Sequence, residues 1–336
     1  MPYRSAPTIL DVAAKAGVSK SLVSLVMRGS PNVSDDRRQA VLEAADELGY
    51  RPNAAAASLA RQRTHLIGVM VSDFGNPFFS DMLEGIEEAA LLAGYRALFN
   101  TGSRIAERET MATETLLELR TEGLILGSPR FADDLLAQLP KTVPVVTVGR
   151  DTAVPGIDVV MNDDRHGAEL VVQHLTELGH RRIVHLHGLP GAGAAARRDG
   201  FVEAMESRGL EPRLAAAGFT ERGGIVGAEE LLRGGDLPTA IFAANDISAV
   251  GVMQTLEQAG LRVPDDISIV GYDNVAFTGL GQISLTTIDQ PRHEMGTIAV
   301  DLLIERLDGT RSRSKHVTVE PALVERGSTA PPARRS

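Results

Sequence analysis

Asp73 with Asn76-Pro77-Phe78-Phe79, Arg197 just ahead of Gly200-Phe201, Asn245-Asp246, Tyr272-Asp273 and Gln290 are the side chains best suited to chemistry in this sequence. Together they could hold a small polyhydroxylated molecule. Carboxylates and amides exchange hydrogen bonds with neighbouring hydroxyls, an arginine forks onto ring or hydroxyl oxygens, and an aromatic face covers the apolar side of a ring. Tryptophan is absent, so Phe78 or Phe79, with Phe219 as a weaker candidate, has to supply that face. Ser128 adds a hydroxyl to the set. Asn245 and Asp273 also have a plainer reading as helix or turn caps, and Phe79 as core.

These groups need elements that carry them to one place. From Leu66 the sequence alternates short apolar runs with longer helical ones: Leu66 to Val71, Phe79 to Ala93, Ala97 to Phe99, Glu107 to Thr121, Leu124 to Leu126, Val143 to Val148. This alternation is the pattern of βαβ units and a parallel sheet. A second set starts near Val159 and continues through a helix at Gly167 to Leu178, strands at Ile183 to His187 and Ala240 to Phe242, a helix after Asp246, and a strand at Ile267 to Tyr272. Two doubly wound lobes are expected, with ligands bound beyond the carboxyl ends of the strands. Leu285 to Ile288 is expected to cross back between lobes, Met295 to Leu307 to form a helix of the first lobe, and Val317 to Val324 a late strand pair. The tail from Ala330 reads as disordered.

The first sixty or so residues are of another kind. Thr8, with Asp11 three residues on, has the form of a capping box and opens an apolar-periodic helix, Ile9 to Ala16. Gly17 suits a tight turn, Val18 can plug the angle between helices, and Ser19 can cap a second helix running to Met27. In such a helix-turn-helix the second helix enters the major groove with its N-terminal side chains at the base edges, which points to Lys20, Ser21 and Ser24. Ser34 can cap a third helix, closed by Gly49, with Val41, Leu42, Ala45 and Leu48 as its apolar face. The alanine-rich stretch that follows is too short to be a stable helix alone in water.

Asp11-Val12-Ala13, Ala16-Gly17-Val18-Ser19, Val23-Ser24, Gly29, Asn32-Val33-Ser34, Leu48-Gly49-Tyr50, Pro52-Asn53 and Leu59-Ala60 resemble the headpiece and hinge of the lactose-repressor (LacI/GalR) family. The resemblance implies an all-α helix-turn-helix headpiece joined to an α/β core like the periplasmic binding proteins. It implies operator contacts through Thr8, Ser19, Lys20, Ser21, Ser24, Arg28, Asn32, Tyr50, Asn53, Ala56 and Leu59. Residues 53–60 would be a hinge helix ordered on operator DNA, with Leu59 wedged into the minor groove. It also implies effector binding between the lobes by Asp73, Asn76, Phe78, Phe79, Ser128, Arg197, Phe219, Asn245, Asp273 and Gln290. The sequence departs from the family pattern in two places. Leu25 stands where many members carry a base-reading arginine or histidine, and Gly149 precedes Arg150 where many carry aspartate, removing one hydroxyl acceptor.

Charge is distributed to match. Residues 1–63 hold nine Lys/Arg against six Asp/Glu, so they carry +3 of a total of −10 and leave the rest near −13. A basic end on an acidic protein is aimed at phosphates. Cysteine is absent, which excludes disulfides and thiolate sites, and the N-terminus has no apolar run of signal-peptide or membrane-span type. A cytoplasmic location follows from this reading.

Other function classes fit less well. Gly191-Ala192-Gly193-Ala194-Ala195-Ala196 has the GxGxxA form of a dinucleotide fingerprint, yet Leu214 to Ala217 ends in Gly218-Phe219 where a nicotinamide enzyme wants an acidic residue. His185 and His187 could share a strand face, but no cysteine or clustered carboxylate completes a metal site. A solute-binding transport protein accounts for the core and not for the headpiece. The sequence therefore reads as a dimeric, ligand-controlled repressor of a near-palindromic operator, with no catalytic, cofactor or metal site and no membrane partner. Its expected domains are a headpiece (1–63), a core (64–330) with a first lobe of about 64–161 and 289–318 and a second of about 162–288 and 319–330, and a tail (331–336). No leucine heptads follow Glu325, which favours a dimer over a tetramer.

Overall fold

The computed structural model describes residues 7–27, 29–51, 63–188 and 193–333. The chain divides into two compact units, Met1–Thr64 and His65–Ser336. Arg28, Asn53, Ala56, Leu59 and the hinge segment 53–60 lie outside the described residues, as do Gly191 and Ala192 of the glycine-rich run.

The first unit contains α1 (Ile9–Ala16), α2 (Lys20–Met27) and α3 (Asp35–Leu48). Each helix stops in the same way. Gly17, Gly29 and Gly49 take the left-handed conformation, and the next residue's N–H returns to the last turn: Val18 to Ala13 O, Ser30 to Leu25 O, Tyr50 to Ala45 O. Val12, Val23, Val26, Val33 and Val41 form the core, and Val18, Leu22 and Leu25 pack against it. The Asp11 carboxylate accepts from both the N–H and the hydroxyl of Thr8, and these bonds hold it below the usual carboxylate range. Ser19 Oγ accepts from Leu22 N–H and caps α2. Two expectations fail here. Ser34 makes no side-chain cap bond, its carbonyl instead accepting from Arg38 N–H, and Leu42 is 48% exposed because the face of α3 that meets the core runs through Val41, Ala44 and Ala45.

The second unit begins with β1 (Leu66–Val71), α4 (Phe78–Leu92), β2 (Arg96–Thr101), α5 (Ala106–Glu118), β3 (Gly123–Gly127), the short α6 (Asp133–Leu136), β4 (Val145–Val148) and β5 (Ile157–Asn162). It continues with α7 (Asp164–Glu177), β6 (Ile183–His187), α8 (Ala194–Glu206), β7 (Arg213–Ala216), α9 (Glu221–Gly234), β8 (Ala240–Ala243), α10 (Asp246–Gln258) and β9 (Ser268–Val270). It closes with β10 (Thr287–Asp289), α11 (Arg292–Leu307), β11 (His316–Val319) and β12 (Ala322–Val324). A parallel sheet of order β11-β5-β4-β3-β1-β2 and another of order β7-β6-β8-β9 result. Strands β3, β4 and β8 are buried throughout, as their unbroken apolar runs require when helices cover both faces. Helix α11 packs on α4 beside the first sheet, as expected from Met295 to Leu307.

The chain passes between the sheets from β5 into α7, from β10 into α11 and from β11 to β12. β11 pairs with β5 in parallel while β12 pairs antiparallel with β10, so the late strands within Val317 to Val324 are shared between the two sheets. Ala330 is also better held than its composition suggests. Its carbonyl lies within hydrogen-bond reach of His180 Nε2 at 2.9 Å and accepts from Ser268 Oγ at 3.0 Å.

Candidate functional site

In the first sheet the strand order reverses direction at β1 and β3, and in the second at β6 and β8. Side chains just beyond the carboxyl ends of such strands meet in a crevice. Here that crevice is a cleft of about 710 Å³, mouth included, in the second unit. Asp73, Asn76, Phe78, Phe79, Ser128, Arg197, Phe219, Asn245, Asp273 and Gln290 all line it.

Asp73 follows β1 and accepts from Gly75 N–H at 2.8 Å, and Asn76 Oδ1 accepts from Phe78 N–H at 3.1 Å, which starts α4 at the cleft wall. The rings of Phe78 and Phe79 meet edge to face with centroids 5.1 Å apart. Both belong to the hydrophobic core as well as the lining, so the core and binding readings of Phe79 hold together. Ser128 follows β3 with a left-handed backbone, φ 50°. Opposite it lies Gly149 with φ 73°, where a Cβ would come 2.8 Å from Ser128 Oγ. A side chain at 149 would therefore be strained by the backbone and would require the Ser128 hydroxyl to turn away.

Arg197 is the electrostatic centre of the other wall. Its Nε and Nη2 donate to Asp164 Oδ1 at 3.2 and 2.7 Å, its Nη1 donates to Ala244 O, and its Cζ lies 3.4 Å from the centroid of the Tyr272 ring. Asn162 Nδ2 donates to the Tyr272 hydroxyl at 2.8 Å. Burial raises the Asp164 carboxyl above its ordinary pKa although Arg197 opposes the rise. Asn245 caps α10: Oδ1 accepts from Ser248 N–H at 3.0 Å and Nδ2 donates to Phe219 O at 3.3 Å. The plain reading of Asn245 as a cap is thus correct, and the residue also lines the cleft. Asp273 is not a cap. It accepts from Gln290 Nε2 at 2.6 Å, and its backbone has φ 119°, a region that side chains rarely adopt. Burial pushes its carboxyl up to about 7, with the Arg197 and Arg292 guanidinium groups pulling the other way. Asp246 is raised as well, by burial and by the charge of Asp273.

The lining includes groups that sequence reasoning missed: Ser72, Arg104, Arg130, Asn162, Asp164 and Met295. Most had the same signal as the residues that were found. Arg104, Arg130, Asn162 and Asp164 stand at or just beyond the ends of β2, β3 and β5. Met295 lies inside a helix and reaches the cleft only because α11 packs on α4.

In the first unit Thr8, Ser19, Lys20, Ser21 and Asn32 are exposed, while Ser24 and Tyr50 are half-buried. Lys20 and Ser21 form the exposed first turn of α2, behind the cap made by Ser19. Leu25 is packed against the headpiece core. The histidine pair shares a face, with ring centroids 6.2 Å apart. His185 stacks on Phe242 at 4.2 Å, and burial pushes its pKa down to about 3, so it is a neutral core side chain. Gly193 serves as the left-handed residue before α8. No helix among the described residues is long and apolar enough to cross a membrane.

Residues 8–53 match the family model of the bacterial regulatory proteins, lacI family, and residues 172–329 match that of the periplasmic binding protein-like domain. The ribose operon repressor of Escherichia coli (strain K12) is 34% identical over 328 residues, 96% of this chain and 99% of that protein. This chain belongs to the LacI family. A second LacI-family relative, the HTH-type transcriptional repressor PurR of Erwinia tasmaniensis, is 32% identical over 330 residues, 96% of this chain and 97% of its own. Among LacI-family structures, the Lac repressor dimer bound to operator and the anti-inducer ONPF superposes with a TM-score of 0.86 at 29% identity, covering 97% of this chain and 100% of the other. The helical headpiece and the two-sheet core are thus those of a LacI-family transcriptional regulator.

Proposed function

We propose that this LacI-family regulator is a homodimeric repressor that binds a near-palindromic double-stranded operator in the cytoplasm and is controlled by a sugar-class effector held in the cleft. The observation that carries the effector reading is the meeting of Asp73, Ser128, Arg197, Asn245, Asp273 and Gln290, drawn from segments far apart in the chain, around one partly aromatic cleft. Hydroxyl, amide and carboxylate groups beside the Phe78 and Phe79 rings suit a polyhydroxylated ring. The DNA reading rests on the exposed first turn of α2 and the headpiece match. Residues 1–63 form the DNA-binding headpiece, with 53–60 as hinge, and the remainder to about 330 forms the effector and dimerisation core.

Exposed Leu91, Leu92, Phe99 and Met111 flank the open edge of the first sheet at β2 and support dimerisation there. A two-fold protein demands a two-fold site. Effector binding changes the angle between lobes and so moves the paired hinges. Full switching, from 1:99 to 99:1, needs a differential affinity of about 5.5 kcal/mol between states. A thermal-shift screen of the full-length protein against sugars, sugar phosphates, nucleosides and purines tests this reading. A ligand at a hundred times its dissociation constant adds about 2.7 kcal/mol of stability. A sugar hit that also alters operator affinity in a gel-shift assay supports the proposal, whereas a hit confined to nucleosides or purines removes the sugar assignment.

A further inference from the structure

The charged groups of the cleft are unevenly committed. Arg197 and Asp164 neutralise each other in the buried wall, and Asp273 is hydrogen-bonded to Gln290. On the first-sheet side, by contrast, two arginines line the cleft with little compensation. Arg104 approaches Asp73 at only 3.8 Å, and Asp73 is at the same time engaged by Gly75 N–H. Arg130 is exposed and forms no ion pair among the described residues, its charge being felt only through space by the Glu109 carboxyl behind the loop.

Both arginines sit on backbone that is held in place. Arg104 and the preceding Ser103 are both left-handed, with φ 65° and 51°, and Arg104 N–H donates to Ser72 O at 2.6 Å, tying the turn after β2 to the end of β1. Two ionisable side chains grip the loop that carries Arg130. The fully buried Glu109 accepts from Arg130 N–H at 2.5 Å. From the other side Arg150 donates to Pro129 O at 3.1 Å, Phe131 O at 2.6 Å and Asp133 Oδ1 at 2.6 Å. A loop clamped in this way presents its free side chain without paying to order the backbone when a ligand arrives. Beside it the Ser128 hydroxyl faces Gly149, which has no side chain to cover it, and Ser128, Arg130 and Gly149 all line the cleft.

We infer that the effector is an anionic sugar, a phosphate ester or a sugar acid, whose charged group is taken by Arg104 and Arg130 beside Ser128 while its hydroxyls face Arg197, Asn245 and Asp273. The inference rests on the effector reading above and adds the charge of the ligand to it. Guanidinium groups fork onto phosphate and carboxylate oxygens alike, so the geometry names the charge and leaves the acid to experiment.

Isothermal titration of the full-length protein with matched pairs tests this: ribose against ribose 5-phosphate, glucose against glucose 6-phosphate, and glucose against gluconate, with inorganic phosphate alone as a further probe. For at least one pair the anionic member binds ten-fold tighter or more than its neutral twin at low salt, about 1.4 kcal/mol. Arg130→Ala and Arg104→Gln each remove most of that ratio, and Arg130→Lys retains part of it. Both side chains reach solvent, and a thermal melt of each variant confirms that the fold persists. The phosphate and gluconate arms separate the two acids. Neutral sugars binding as tightly as their anionic twins, or a ratio that survives the double substitution, overturns the inference and leaves the sugar-effector reading intact. Binding by inorganic phosphate alone, with no gain from a sugar body, or no binding by any member of the panel, overturns both.

Discussion

The Arg197 guanidinium lies over the Tyr272 ring, 3.4 Å from its centroid, while Asp164 Oδ1 receives two of its N–H groups. This pair is almost fully buried, with side-chain exposures of 4% and 5%. Removing one member strands the other charge away from water. Arg197→Ala is therefore expected to destabilise the core by about 3–5 kcal/mol, and the double variant Arg197→Met with Asp164→Leu to recover much of that loss. Urea denaturation of the three proteins checks it, and a single variant as stable as the parent contradicts the pairing.

Asp273 makes the core sensitive to pH. Its carboxyl is raised from 3.8 to about 7, so between these values the folded protein holds a proton that the unfolded chain has released. The stability from this group is fully present below about pH 4 and is lost as pH rises towards 7, with a slope of about 1.4 kcal/mol per pH unit for one proton. Asp273→Asn removes the titration. Unfolding free energies measured from pH 4 to 8 are expected to fall more steeply for the parent than for this variant, and parallel curves would show that Asp273 is ionised throughout. Asp273→Ala is in turn expected to keep basal operator binding and lose the effector response.

Lys20 opens α2 from an exposed position. Lys20→Ala is expected to relax base preference at one operator position, costing about 1–3 kcal/mol against the preferred sequence and little elsewhere. Anisotropy titrations over a set of single-base operator variants check this. A uniform loss with a shallower salt dependence would instead make Lys20 a phosphate contact.

Leu59 lies outside the described residues, and its role as a minor-groove wedge comes from the family pattern alone. Leu59→Gly is expected to weaken specific operator binding at least ten-fold while leaving nonspecific DNA binding nearly unchanged. Equal loss of both, in parallel gel-shift assays on operator and scrambled DNA, contradicts the wedge.

Much of this protein was legible from residue order. The helices of the headpiece, the apolar runs of β1, β3, β4 and β8, and the polar residues after the strands are all signals of short range, since helix caps, strand periodicity and strand-end position depend on a few neighbours. Residues picked out by that rule meet in one cleft. Partnerships were not legible, because each joins positions far apart in the chain: Asp164 with Arg197, Asn162 with Tyr272, Asp273 with Gln290, Glu109 with the backbone of Arg130. The partners of the late strands were not legible either, since β11 joins β5 and β12 joins β10 only through the crossing between sheets. The charge states of Asp273 and His185 belong to the same class, since desolvation is set by elements packed from elsewhere. Residue order thus determined which side chains reach the carboxyl ends of the strands. The tertiary structure decided which of them are consumed in holding each other, as Arg197 and Asp164 are, and which, like Arg130, stand exposed at the cleft.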